Sequence, residues 1–188
     1  MPSLEKERKF LVELPLKWFA KFKAATADKV KIHQSYLKEP GVESSRIRSI
    51  LHYGKDWPKM TYTYTKKEFV SEGVNMEYER DLTQTEFAIM LSRFVDIKRN
   101  MITKTRYFID FGPHKRPDSK PFEFDLFEDQ LLGLAILEIE LKEMTDEVIV
   151  PPYFKIKKEV TSDKYYSNKN LASIDSYRDS IRFPRRID

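Results

Sequence analysis

The sequence predicts a mainly β fold of the α+β class: an eight-stranded antiparallel closed barrel, with helices outside it and a helical C-terminal segment. Three observations predict it. Charged residues recur at period two, as Glu5-x-Glu7-x-Lys9, Arg46-x-Arg48, Glu77-x-Glu79, Lys104-x-Arg106, Glu123-x-Asp125 and Glu138-x-Glu140; on a strand, period two means one face. Eight strand candidates follow one another, mostly through short links, which suits an antiparallel sheet that closes and so loses its exposed edges. Aromatics are plentiful, 13 Phe and 10 Tyr against 5 Gly, a composition for long strands and not for a Gly-rich nucleotide fold. An antiparallel sheet usually wets its polar face. Charge repeated on one face of so many strands points instead to a barrel with a charged lumen.

Each element has its own signal. The first strand, Leu4 to Val12, carries Glu5, Glu7 and Lys9 on one face. Pro15 opens a short amphipathic helix, Leu16 to Ala24, with Trp18, Phe19 and Phe22 on its apolar side. Val30 to Lys38 alternates as a strand and ends at the turn Glu39-Pro40-Gly41. Glu43 to Tyr53 carries Arg46 and Arg48, and Lys59 to Lys67 is a third run whose register groups Tyr62, Tyr64 and Lys66. The Glu77-Tyr78-Glu79 strand runs from Gly73 to near Leu82. Thr83-Gln84-Thr85-Glu86 reads as a helix start, with Phe87, Met90, Leu91, Phe94 and Val95 at helical spacing. Arg99 to Phe111, Phe122 to Phe127 and Ile136 to Lys142 complete the strands. The Pro-rich, basic loop Gly112 to Pro121 is the segment expected to move most. Beyond Pro151-Pro152 the alternation stops, and Tyr153 to Asp188 reads as short helices with a basic end at Arg182, Arg185 and Arg186. The expectation is one domain over 1–188, with the barrel at about 3–143 and the helical segment at about 151–188.

Composition excludes several function classes. Cysteine is absent, so there is no disulfide framework and no thiolate zinc site. His33, His52 and His114 lack ligand spacing. Any metal is therefore expected to take carboxylate ligands, which favours Mg²⁺, Mn²⁺ or Ca²⁺. No signal peptide or bilayer-length apolar run is evident, so the expected location is the cytoplasm. The net charge of +4 permits an anionic partner.

The same-face charges converge on one chemistry. The acids are Glu5, Glu7, Glu77, Glu79, Asp125, Glu138 and Glu140; the bases are Lys9, Arg46, Arg48, Lys66, Lys104 and Arg106. Carboxylates crowded in one enclosure repel one another unless cations sit among them. Divalent metal is the natural counterion, and a polyanion then balances the bases, Arg as a fork and Lys as a point charge. Carboxylates hold metal, bases clamp phosphates and a water attacks in line: metal-assisted phosphoryl transfer. Cross-strand salt bridges are the plainer explanation of the same pattern.

The order and spacing of these motifs resemble the CYTH superfamily, the triphosphate tunnel metalloenzymes, in their short bacterial form. Glu5-x-Glu7-x-Lys9, Arg46-Ile47-Arg48, Glu77-Tyr78-Glu79, Lys104-Thr105-Arg106-Tyr107, Phe124-Asp125-Leu126-Phe127, Glu138-Ile139-Glu140-Leu141 and Glu159-Val160-Thr161 carry the resemblance. The family's Thr-x-Lys strand fits Thr63-Tyr64-Thr65-Lys66 loosely, and Asn75 stands where the family often has arginine. The resemblance implies an eight-stranded tunnel that binds triphosphate and divalent metal, with metal ligands Glu5, Glu7, Glu77, Glu79, Asp125, Glu138 and Glu140. It implies phosphate contacts at Lys9, Arg46, Arg48, Lys66, Lys104 and Arg106, and a catalytic set of Lys104, Glu7 and Glu79, with Lys104 activating water. The implied activity is Mg²⁺- or Mn²⁺-dependent hydrolysis of tripolyphosphate or a related small triphosphate such as ATP or thiamine triphosphate. The alternatives are a class IV-type adenylate cyclase and a polyphosphate-binding module without turnover. Neither nucleic acid nor membrane is an expected partner, and the sequence leaves the oligomeric state open.

Overall fold

The computed structural model describes residues 2–13, 28–53, 58–112 and 120–182. The expected helix at Leu16 to Ala24, with Trp18, Phe19 and Phe22, lies outside the described residues, as do His114, most of the Gly112 to Pro121 loop, Arg185 and Arg186.

Among the described residues there are nine strands: β1 (Ser3–Val12), β2 (Lys29–Tyr36), β3 (Ser44–His52), β4 (Lys59–Ser71), β5 (Val74–Leu82), β6 (Ile102–Ile109), β7 (Phe122–Phe127), β8 (Ala135–Glu140) and β9 (Ile156–Glu159). Eight close a ring in the order β1-β5-β4-β3-β2-β6-β7-β8 and back to β1, antiparallel throughout. The ninth, β9, falls where the sequence reads as short helices. It exists because β5 pairs with β1 only over Ser3 to Lys6. The edge of β1 beyond that point is free, and β9 takes it over Phe10 to Val12.

The turns follow their residues. The β4–β5 hairpin turns through Gly73 at φ +72°, and a Cβ there would come within 2.8 Å of the Glu7 carbonyl oxygen and 2.6 Å of the Met144 methyl. Only glycine satisfies both the left-handed backbone and the close approach. Helix α1 (Gln84–Phe94) starts where expected, on a capping box: Thr83 Oγ1 accepts from Glu86 N at 3.2 Å, and Thr83 N donates to the Glu86 carboxylate at 2.8 Å.

Most of the apolar core lies outside the ring, which leaves the lumen to polar groups. Phe10, Val12, Tyr107, Phe122, Phe124, Leu137 and Ile139 form one outer cluster under Phe154. Ile47 and Leu82 form another, covered by Phe87 and Met90 of α1. Each such fully buried side chain contributes about 1.5–3 kcal/mol. A third cluster differs: lumen-facing Ile102, Phe127 and Ile136 pack against Leu171 of α2 (Asn168–Leu171), Ala172, and Tyr177 of α3 (Tyr177–Arg182), so the C-terminal residues stopper the barrel with apolar groups.

Candidate active site

Residues opposite one another on paired strands share a face, and the pairing register carries one face around the ring. Asn75 of β5 faces Glu5, Glu140 faces Glu7, and Glu138 faces both Lys9 and Glu123. Asp125 faces Arg106 and Phe127 faces Lys104. On the far side Gln34 faces Arg48, Tyr36 faces Arg46, Arg46 faces Thr65, and Glu77 and Glu79 face Lys67 and Thr65. The ring thus brings together Glu5, Glu7, Lys9, Arg46, Arg48, Glu77, Glu79, Lys104, Arg106, Asp125, Glu138 and Glu140.

Lys66 does not join them. It has the parity of Tyr62 and Tyr64, whose rings pack in the outer cluster, and its ammonium pairs with Glu68 at 2.7 Å. The expectation of a lumen base at Lys66 is therefore corrected to Lys67. Thr63, Thr65 and Lys67 alternate on the inner face, so the Thr-x-Lys pattern is Thr65-x-Lys67. Period two applied to the threonines reveals this lysine; grouping by the tyrosines hides it. Glu123, Gln34 and Tyr36 are three further site residues absent from the sequence-derived set. Glu123 had a signal in its pair with Asp125. Gln34 and Tyr36 are uncharged and gave none.

The two sides of the lumen are built differently. Across β6, β7 and β8 the charges interlock. Arg106 donates to both Asp125 oxygens at 2.6 Å, to Glu138 at 3.0 Å and to Glu123. Lys104 Nζ donates to Asp125 Oδ2 at 2.5 Å and lies 5.3 Å from the centre of the Phe127 ring. Lys9 closes this set from β1, at 3.0 Å from Glu7 and 3.1 Å from Glu138. Electrostatics follow the contacts. Burial alone raises Glu138, but Lys9, Arg106 and Lys104 overcome it and hold the carboxyl well below the usual range. Burial, and then the Arg106 charge, push Lys104 down to about 8.

Across β3, β4 and β5 the arginine pairs are longer, while Thr65 Oγ1 donates to Glu79 at 2.7 Å. Arg46 lies 3.8 Å from Glu77 and Arg48 lies 3.7 Å from Glu79. Lys67 contacts Glu5 and sits 2.7 Å from Glu77 Oε2, off the line that a hydrogen bond needs. Among the described residues, Ser45 Oγ, Arg46 Nε, Thr63 Oγ1 and Glu77 Oε2 are buried without a hydrogen-bond partner; all four belong to β3, β4 and β5, and the last three lie on the inner face. Burial, and then Arg46 and Arg106, lower Arg48 to about 10. Arginine has only donors, so Arg48 Nε fixes Gln34 Oε1 as its acceptor at 3.1 Å and turns Gln34 Nε2 toward the Tyr36 hydroxyl at 3.0 Å. The Tyr36 oxygen accepts, which leaves its proton for another acceptor.

A cavity of about 570 Å³ opens against this second side. Glu7, Lys9, Tyr36, Arg46, Thr65, Lys67 and Asn75 line it, and Thr161 to Asn170 roof it. Lys104, Arg106, Asp125 and Glu138 are not among its lining residues. The roof is tied to β1, since Lys9 N donates to Thr161 Oγ1 at 3.0 Å.

The carboxylates suit a hard cation in kind and in excess. Burial, and then the charges of Glu5, Glu7 and Glu77, raise Glu140 against the opposing effect of Lys120. Among the described residues no three acidic or histidine side chains are yet drawn together to hold an ion; lysines stand between them.

No family model matches the chain. It is similar to the inorganic triphosphatase of Nitrosomonas europaea, 33% identical over 172 residues that span 89% of this chain and 96% of the relative. Two solved structures superpose on it, one of an inorganic triphosphatase and one of a hypothetical protein. Each is 30% identical with a TM-score of 0.51; they cover 92% and 90% of this chain, and 96% and 97% of their own. With 33% identity and near-complete coverage on both sides, and an eight-stranded antiparallel ring, the chain belongs to the CYTH superfamily of triphosphate tunnel proteins, alongside the Nitrosomonas inorganic triphosphatase.

Proposed function

We propose that this chain hydrolyses a small linear triphosphate, inorganic tripolyphosphate or a related compound, with Mg²⁺ or Mn²⁺. One observation carries the reading: a cavity of about 570 Å³ faces Lys9, Arg46 and Lys67, with Arg46 Nε buried and without a hydrogen-bond partner. The Arg46 guanidinium reaches Glu77 only at 3.8 Å, and its Nε is a buried donor that an anion in the cavity would satisfy. The name of the 33% identical relative supports the same substrate class.

The roles divide by position. Arg46, Lys67 and Lys9 bind phosphate oxygens from the cavity wall, with Arg48 held behind by Gln34. Glu5, Glu7, Glu77, Glu79, Asp125, Glu138 and Glu140 would hold the metal, which supplies Lewis-acid polarisation of the phosphoryl group. Lys104, lowered to about 8, is the base for the attacking water. Water oxygen bonds to the terminal phosphorus, the phosphoanhydride bond breaks, and the proton passes to Lys104. The products are orthophosphate and pyrophosphate.

The test is product analysis with tripolyphosphate, ATP and thiamine triphosphate, each with Mg²⁺, Mn²⁺ or chelator. Metal-dependent release of orthophosphate and pyrophosphate from tripolyphosphate is expected. Cyclic AMP with pyrophosphate from ATP would replace this reading with a cyclase, and binding without products would reduce it to a polyphosphate-binding module.

A further inference from the structure

Lys67 sits between two carboxylates from different strands. Its ammonium contacts Glu5 of β1 and lies 2.7 Å from Glu77 of β5, and these three side chains are only 20%, 16% and 16% exposed. Neutral Asn75 faces Glu5 across the β1–β5 seam and brings no further positive charge. The contact with Glu77 is one of charge and not of hydrogen-bond geometry, so the hydrogen bond to Glu5 is the one directional contact with these two acids that Lys67 gives up on leaving them. Lys67 also lines the cavity beside Lys9 and Arg46, so the same ammonium can face either the acids or a bound anion.

We infer that Lys67 is an internal competitor for the metal: in the unloaded chain its ammonium neutralises Glu5 and Glu77, and it leaves them for the triphosphate when a divalent cation binds. The inference rests on the metal-dependent reading above and goes beyond it. Metal and triphosphate then bind with positive coupling through the exchange of one side chain, and the coupling is reciprocal. In the absence of any anion, Lys67 weakens metal binding.

The measurement is Mn²⁺ binding to the full chain by calorimetry, without substrate. Lys67→Gln removes the competing charge and should bind Mn²⁺ about tenfold tighter, within the usual range of coupling effects. Lys67→Arg keeps the charge and should bind Mn²⁺ as the unsubstituted chain does. Mn²⁺ binding by the unsubstituted chain with no gain in Lys67→Gln would overturn the competitor role alone. An absence of Mn²⁺ binding in all three proteins would overturn the metal-dependent reading and this inference with it. Circular dichroism checks the fold of each variant. If Lys67→Gln does not fold, the unsubstituted chain decides: Mn²⁺ binding should be tighter in sulfate, which can take the ammonium's charge, than in chloride of equal ionic strength. Equal affinity in the two salts would overturn the inference.

Discussion

The wall of β6, β7 and β8 and the wall of β3, β4 and β5 carry the same kinds of charge but hold them in opposite ways. On the first, Arg106 is forked between Glu123, Asp125 and Glu138, with its contacts to Asp125 at 2.6 Å, and the charges satisfy one another. On the second, the arginines stand 3.7 and 3.8 Å from their carboxylates, and buried polar atoms lack partners. The cavity abuts only the second. A closed network holds its members in place; an open one is arranged for a guest. The comparison assigns anion binding to the second wall, and to the first the holding of Lys104, Asp125 and Glu138 in place.

The largest effect should come from breaking the closed wall. Arg106→Ala leaves Asp125, Glu138 and Glu123 without their shared cation, and losing one partner of a buried ionic network costs about 3–5 kcal/mol. Urea unfolding measures it; a loss below about 1 kcal/mol would show that this wall is not interlocked. At the seam between the walls, Gly73→Ala forces a side chain into a left-handed backbone position against the Glu7 carbonyl and Met144. The expected loss is roughly 1–3 kcal/mol, read as a lower melting temperature.

Glu7→Ala should abolish metal-dependent turnover while circular dichroism stays that of the folded chain, because Lys9 keeps Glu138 as a partner. Retained turnover would remove Glu7 from the site.

The smallest effect concerns pH. Lys104 titrates at about 8 in the folded chain against an ordinary 10.5. Between those values the unfolded chain binds the additional proton. The lysine therefore disfavours folding below about pH 8, and stability gains as pH rises from there toward 10.5. Turnover should rise over the same lower limb, as neutral amine becomes available. In Lys104→Ala, turnover should fall more than substrate binding, and the limb should vanish. Equal losses in both would make Lys104 a phosphate clamp only.

The ring and most of its charged lining were legible in the sequence because period two forces Glu5, Glu7 and Lys9, or Lys104 and Arg106, onto one face whatever the rest of the chain does. Lys67 was misread because two lysines adjoin, and a shift of one residue exchanges inside for outside. Strand β9 was hidden because four residues, Ile156 to Glu159, are too short to show a period, and their pairing depends on where β5 leaves β1. Gln34 and Tyr36 matter through a chain of donors and acceptors that only the assembled barrel creates. The division into closed and open walls was illegible for the same reason: both are written in the same alternating charges.

That division is tested most directly by calorimetric binding of tripolyphosphate to the Arg46→Ala/Arg48→Ala double variant. Arg46 and Arg48 are buried, but their ion pairs at 3.8 and 3.7 Å are long, so the variant should lose less stability than Arg106→Ala, and circular dichroism checks that it is folded. Loss of the charge-assisted Arg46 contact, about 1.5–3 kcal/mol, together with the Arg48 charge behind it, should weaken tripolyphosphate binding by at least about tenfold. Affinity within a factor of about three of the unsubstituted chain, well under 1 kcal/mol, would contradict the assignment of this wall to the anion.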